Sequence, residues 1–345
     1  MSAGPAEKIL VIGPSWVGDT IMAQVLYKHL VAIAPRRPVI DVVSPTWSLP
    51  VLARMPEVRR GVELPVGHGD VRLGLRRRIG HGLRSEGYDR AIVLPRSFKS
   101  ALLPFFARIP VRTGFKAEAR FPLLNDRRSL GPELDQTVKR YLALGAAAGT
   151  ALPESFPPPR LCIDQQNQAR LIDKLGLQDE RPVVAMMPGA EYGPAKRWPA
   201  AKVVKLARRL VDAGNAVWVL GSARDREFTA PLDELGAVPG LHHLCGQTTL
   251  ADAVDLLALA RVAVSNDSGL MHMAAAVGTH VVAIYGSSSS GFTPPLTSRS
   301  DIVSRDLECR PCFSRECPLG HYRCLTEISV ETIERLVNRV LSDDV

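Results

Sequence analysis

Residues 8–20 read KILVIGPSWVGDT, and their reading decides the fold. Ile9 to Ile12 is a short unbroken apolar run ending at Gly13, the pattern of a strand buried in a parallel sheet. From Thr20 to Ala34, Ile21, Val25, Leu26 and Leu30 recur at helical spacing until Pro35 stops the helix. Strand, glycine-bounded turn and helix make the first half of a βαβ unit. The turn follows the pattern of a phosphate-binding loop up to the decisive position, where Asp19 replaces the lysine. A carboxylate there repels phosphate and argues against a P-loop nucleotidase. It suits either a base presented from the start of a helix or a plain helix cap.

The same rhythm continues outward. Val39–Val43 and Ala91–Leu94 read as further strands, with a helix opening at Pro45-Thr46 and another over Phe98–Ala107. It restarts in the second half with strands Pro182–Met187, Ala216–Leu220, Val262–Ser265 and His280–Ile284. Helices Ala200–Ala213, Asp225–Leu235, Leu250–Ala260 and Gly269–Val277 lie between and beside them. Residues 153–160, PESFPPPR, form a stiff non-helical spacer. The expected division is an N-terminal domain over 1–155, a C-terminal domain over 156–328 and a terminal amphipathic helix over 329–345. Two open, doubly wound parallel sheets bind ligands beyond their strand C-termini, here in a cleft where the domains face each other.

Composition agrees with two globular domains: 345 residues, 46% hydrophobic and 23% charged, with mean hydropathy +0.03. No apolar run reaches the ~18–20 residues of a membrane span. The apolar part of the N-terminus is too short for a signal peptide, so a cytoplasmic location is expected. The formal net charge of +8 is uneven. Residues 1–150 hold 23 Lys+Arg against 12 Asp+Glu, or +11, and the remainder hold 20 against 23, or −3. The halves are expected to meet different partners.

Several segments carry candidate chemistry. In SNDSGLMH (265–272) a strand hands over to a helix, so Ser268 and Gly269 present backbone N–H groups at a positive helix end. Asp267 can accept from sugar hydroxyls or backbone amides, and His272 can donate to a phosphate oxygen; a plain cap and a satisfied buried ring are the alternatives. PGAEYGPAKRWP (188–199) presents Lys196 and Arg197 where a diphosphate would sit. YGSSSSG (285–291) is a loop rich in small donors. The basic stretch PRSFKSALLP (95–104) has Arg76, Arg77, Arg78, Arg84, Arg108, Arg112, Lys116, Arg120, Arg127 and Arg128 around it. Cys309, Cys312, Cys317 and Cys324, with His321 among them, suggest clustered thiols or a structural zinc, although only the first pair has finger-like spacing.

Together, the GDT after the first strand, the KRWP loop, NDSGLMH, YGS and the terminal cysteine segment ending GHYRC resemble glycosyltransferase family 9. The motifs span residues 8 to 325. The resemblance implies a GT-B fold, two Rossmann-like domains with the acceptor on the N-terminal one and the nucleotide sugar on the C-terminal one. It also implies a terminal helix packed back on the N-terminal domain. The implied reaction is inverting transfer of L-glycero-D-manno-heptose from ADP-heptose. The acceptor would be the first heptose of a lipopolysaccharide inner core (lipid A with Kdo and one heptose), met at the cytoplasmic face of the inner membrane. By motif position Asp19 would be the general base and Lys196 the diphosphate ligand. Asp225, Thr248, Asp267, Ser268, Gly269 and His272 would contact the donor, with Asp225 shorter than the usual Glu. The basic stretch nominates Arg96, Ser97, Lys99 and Arg120 for the acidic acceptor. No Asp-x-Asp occurs and no cofactor is expected for catalysis, a lysine and a helix end being able to stabilise a departing diphosphate.

Three rivals are weighed: another transferase of the same fold with a different acceptor, including other heptosyltransferases; a nicotinamide-dependent oxidoreductase; and a basic nucleic-acid-binding protein. The oxidoreductase lacks a Gly-x-Gly-x-x-Gly after a strand. The nucleic-acid reading lacks an aromatic RNA motif, a zinc-finger pattern or a helix-turn-helix, so no nucleic-acid partner is expected.

Overall fold

The computed structural model describes residues 5–67 and 69–343. Residues 1–4 of the expected N-terminal domain and 344–345 of the expected terminal helix lie outside the described residues. The chain divides into two compact units, Met1–Pro159 and Arg160–Val345. The division falls inside the same proline-rich stretch as the expected boundary at 155.

The first unit is a parallel sheet of β1 (Lys8–Ile12), β2 (Val39–Ser44), β3 (Val58–Glu63), β4 (Arg90–Val93), β5 (Val111–Phe115) and β6 (Asp126–Arg128), in the order β3-β2-β1-β4-β5-β6. Ile9, Leu10 and Val11 are wholly buried because β1 is flanked by β2 and β4 and covered on both faces. Helices Val17–Ile33 and Thr137–Gly145 pack together. Gly145 permits this, since a Cβ there would meet Leu26 at 2.4 Å.

The second unit repeats the plan with β7 (Val183–Met187), β8 (Ala216–Val219), β9 (Leu241–His243), β10 (Val262–Asn266), β11 (His280–Tyr285) and β12 (Ser300–Ser304). Its order, β12-β11-β10-β7-β8-β9, is the first sheet's order counted from β7. Both are doubly wound Rossmann-type sheets, as expected. In each, strand order reverses beside the first strand, so the switch points lie between β1 and β4 and between β7 and β10. Loops leaving those four strands are where ligands of such sheets bind.

The sequence reading misses β3, β5, β6, β9 and β12, and the helices Leu73–Gly82, Thr137–Gly145 and Gln165–Leu175. The missed strands are short or polar, and β3, β6, β9 and β12 lie toward or at the sheet edges, where burial no longer demands an apolar run.

The terminal helix Val330–Ser342 starts at Ser329, whose Oγ accepts from the Thr332 N–H at 3.2 Å. Val330, Ile333, Val337 and Val340 are buried with Leu206, Leu210, Val264 and Ile284 in the C-terminal core. Its acidic side pairs Glu334 with Arg209 at 2.8 Å, and Arg339 reaches Asp301 at 2.6 Å. The described contacts of this helix thus anchor it in the C-terminal unit. Its apolar stripe is taken up by its own unit, because the helix Ala200–Asp212 and the second sheet leave a matching apolar surface. Ile333→Ala removes a wholly buried side chain and should lower stability by about 2–4 kcal/mol. An unfolding free energy lowered by less than about 1 kcal/mol, from denaturant titration, would contradict this packing.

Candidate active site

At the second switch point the chain emerges from β10 through Asn266, Asp267 and Ser268 into the helix Gly269–Ala276. Ser268 is the N-cap residue, yet its side chain makes no capping bond. The first amide N–H groups of this helix thus lack a cap from Ser268 at its positive end. Beside it, the Lys196 ammonium donates to Asp267 Oδ2 at 2.6 Å, with Asp267 4% exposed and the lysine side chain 17%. The ammonium also lies over the Tyr192 ring, 5.0 Å from its centroid.

His272 lies on the next turn, buried. Burial pulls its imidazole down to about 4, with Lys196 adding to the shift and Asp267 opposing it. The ring is therefore neutral at neutral pH. Because its folded value lies below its unfolded one, its contribution to stability is full above about pH 6.5 and is lost as pH falls towards 4. His272→Gln should flatten that part of the stability–pH profile. An unchanged slope between pH 6.5 and 4 would refute the assignment.

The sequence reading missed how the lysine loop is held. Asn266 Oδ1 accepts from the Trp198 N–H at 3.1 Å while its amide nitrogen donates to Pro188 O. One side chain thus ties both ends of the 188–198 loop to β10. The only hint in the sequence is its place immediately before Asp267. From below, the cysteine-bearing segment supplies carbonyls: Ala195 N–H donates to Arg315 O at 3.0 Å and Tyr192 Oη to Phe313 O at 2.6 Å. Gly286 lies so close that a Cβ would meet Ala195 O at 2.4 Å. The small-residue loop after β11 is thus a packing surface for the lysine loop.

Two donor candidates fall elsewhere in the same unit. Asp225 Oδ2 accepts from Ser222 N–H and Ser222 Oγ, both at 2.8 Å, closing a capping box on the short helix Ala223–Phe228. Its carboxylate nestles against Gly189, where a Cβ would collide with it at 2.3 Å. Asp225 therefore has a structural duty, with Oδ1 turned to the loop after β7. Thr248 is half-buried in the loop after β9, next to Thr249, which caps Leu250–Leu257.

In the first unit Asp19 stands in the first turn of Val17–Ile33, directly after β1, and is half-buried. Its charge is felt by buried Tyr141, whose hydroxyl is pushed up chiefly by burial and further by Asp19. The loop after β4, across the switch point, carries exposed Arg96 and half-buried Ser97, the N-cap of the helix Phe98–Phe106, in whose first turn half-buried Lys99 lies. Arg140 joins Arg96 in this neighbourhood; burial and then the Arg96 charge lower its affinity for a proton. No sequence signal distinguished Arg140 from its fellow arginines.

Arg120, expected at the acceptor, is committed to carbonyls of its own unit. It is 1% exposed, and its guanidinium donates to Phe115 O at 2.6 and 3.0 Å and to Pro95 O at 2.6 Å. It braces the 95–100 loop against β5, because its fork finds carbonyls already placed to receive it. Burial lowers its pKa to about 10. Arg120 also floors a cavity of about 340 Å³ whose walls include Phe115, Lys116, Phe121 and Arg127. Arg120→Ala leaves buried carbonyls unpaired and should destabilise the protein by about 2–3 kcal/mol. A melting temperature equal to the wild type would show that the brace is dispensable.

Cys309, Cys312, Cys317 and Cys324 are free thiols. They lie near enough that the other three raise the Cys324 pKa, after burial and against Arg310. Among the described residues, no group of three or more His, Cys, Asp or Glu is arranged to hold a metal ion. No helix among the described residues is long and apolar enough to cross a membrane.

Comparison with known proteins places this geometry. The model of glycosyltransferase family 9 (heptosyltransferase) matches residues 76–323. The chain is 43% identical over 345 residues to lipopolysaccharide heptosyltransferase 2 of Escherichia coli, covering 97% of this chain and 98% of that one. It is 46% identical over 349 residues to lipooligosaccharide heptosyltransferase 2 of Haemophilus influenzae, covering 97% and 99%. The structure of E. coli ADP-heptose lps heptosyltransferase II superposes with a TM-score of 0.88 at 40% identity, over 98% of this chain and 99% of that one. The α/β fold is thus the GT-B type expected, and the chain belongs to glycosyltransferase family 9, the heptosyltransferases.

Proposed function

We propose that this chain is a heptosyltransferase II, moving L-glycero-D-manno-heptose from ADP-heptose onto the first heptose of a lipopolysaccharide inner core with inversion at the anomeric carbon. The observation that carries the donor half is the Lys196 ammonium, held 2.6 Å from Asp267 beside the uncapped start of Gly269–Ala276. An ammonium and convergent backbone N–H groups suit a nucleotide diphosphate. The heptose and the acceptor are supported by the full-length relatives, whose names specify heptose transfer in lipopolysaccharide or lipooligosaccharide synthesis.

In the proposed step the acceptor hydroxyl loses its proton to Asp19 as its oxygen attacks the anomeric carbon. The bond from that carbon to the diphosphate oxygen breaks, and ADP departs with the electron pair. Lys196 and the helix end stabilise the charge that grows on it. Asp267 orients the lysine, and neutral His272 offers an N–H to a phosphate oxygen without drawing a proton from solvent. Asp225 Oδ1 and Thr248 are assigned to the adenosine side. Lysine and helix end supply the electrostatic work, so no cofactor is assigned to the step, and zinc in the cysteine cluster would be structural. Arg96, Ser97 and Lys99 are assigned to the acidic acceptor. The +11 of the first 150 residues and exposed Phe98, Phe105 and Phe121 support peripheral binding to the anionic cytoplasmic face of the inner membrane, with no nucleic-acid partner.

The test is transfer from ADP-heptose to defined truncated acceptors, read by product mass. An acceptor carrying one heptose should gain a second, and one carrying only Kdo should not; the reverse would assign the chain to a different member of the family. Asp19→Ala should reduce turnover by about 10²–10⁴-fold, and near-normal turnover would remove it as the base. Lys196→Ala should lower turnover and weaken donor binding together, and unchanged kinetics would remove it from the diphosphate site.

A further inference from the structure

We infer that Arg315 is a second cation of the diphosphate site, a binding residue for the donor presented by the cysteine-bearing segment. The inference rests on the proposed donor site and adds a residue to it.

Lys196 and Asp267 form a pair whose net charge is zero. His272 is neutral at neutral pH, and a helix end supplies only about half a unit charge. A diphosphate diester carries two negative charges, and departing ADP gains another. The described groups beside the lysine therefore leave the ligand under-neutralised unless a further cation reaches it.

The neighbouring cations can be taken in turn. Arg197 Nε donates to Ala190 O at 3.1 Å, and its guanidinium stacks on Phe228. Arg224 pairs with Glu191 at 2.8 Å. Lys202 caps the carbonyls of Thr326 and Ile328. Arg310 commits its guanidinium to the carbonyls of Gly286, Ser288 and Arg305. Arg315 differs from all of these. It is exposed, and its described side-chain contact is with Tyr192, 5.2 Å from the ring centroid. Lys196 lies 5.0 Å from the same centroid. One ring is thus in contact with two cations, the lysine of the proposed diphosphate site and an exposed arginine.

The backbone fixes Arg315 in this place. Its carbonyl receives the Ala195 N–H at 3.0 Å, one residue before the lysine. That carbonyl can come so close because residue 193 is glycine: a Cβ there would meet Arg315 O at 2.5 Å, at a φ of +153°. Tyr192, whose hydroxyl is anchored on Phe313 O, holds the ring still. The bonds from residue 315 to the lysine loop are backbone bonds, so truncating its side chain leaves them intact. A guanidinium in this position offers the planar donor fork suited to phosphate oxygens.

The experiment measures binding of ADP and of adenosine by calorimetry to the wild type and to Arg315→Ala, Arg315→Lys and Lys196→Ala. Melting temperature is the control for folding. Arg315→Ala should weaken ADP by about ten-fold with adenosine unchanged, and Arg315→Lys should recover part of the loss. If Arg315→Ala shifts ADP and adenosine equally, or shifts neither, the inference is overturned. If Arg315→Ala selectively weakens ADP while Lys196→Ala does not, Arg315 stands and the lysine assignment of the proposed function falls. Donor KM should rise in parallel with the loss of ADP affinity in Arg315→Ala. A fall in kcat alone, with ADP affinity kept, would also overturn it.

Discussion

The second unit is organised around one buried ion pair. Moving Lys196 and Asp267 out of water costs several kcal/mol per charge, and their attraction offsets this only where geometry is good and the partners are held. That requirement explains the surroundings: Asn266 tying the loop ends, carbonyls of residues 313 and 315 under the loop, and Gly286 leaving room for the Ala195 carbonyl. Many of these contacts keep an ammonium where a mobile lysine would otherwise swing to solvent. The same burial that strengthens the pair discharges His272 beside it. A site can thus hold a cation, an anion and a neutral imidazole within one helical turn and one loop.

The interior of the fold was legible because burial writes an apolar run: β1, β2, β4, β7, β8, β10 and β11 all announce themselves. The edges were not, because a strand with one neighbour is free to carry Arg59, Arg60 or Arg127. Motif order located Lys196, Asp267 and Ser268, which the fold brings together, and put Asp19 at the corresponding position of the other sheet. What the sequence could not reveal is how each side chain is satisfied. Asp225 reads as a ligand contact in a motif and as a capping residue once its hydrogen bonds are seen. Arg120 reads as a surface cation until its carbonyl partners bury it.

The charge excess of the N-terminal half needs the same discount. Arg59 and Arg60 neutralise buried Asp41 together with Tyr88, whose hydroxyl burial and Asp41 push up to about 12. Arg112 donates to the Leu123 and Ile109 carbonyls, and Arg76 to that of Val71. A substantial share of the basic residues therefore builds the unit. The cations left for an acidic ligand are fewer and better localised than a net charge suggests, with Arg96 and Lys99 beside the switch point and Lys116 and Arg127 around the cavity.

The polar edges have a consequence for how such a chain is made. A nascent protein exposes its first domain while the second is still being synthesised, and an open sheet edge in that interval can template association with another copy. β3 ends the first sheet with VRRGVE and β6 ends it on the other side with only DRR. β6 offers a second edge only three residues of backbone, and β3 carries charged, ion-paired side chains in place of an apolar run. Both features limit edge-to-edge pairing between copies, a protection that owes nothing to substrate.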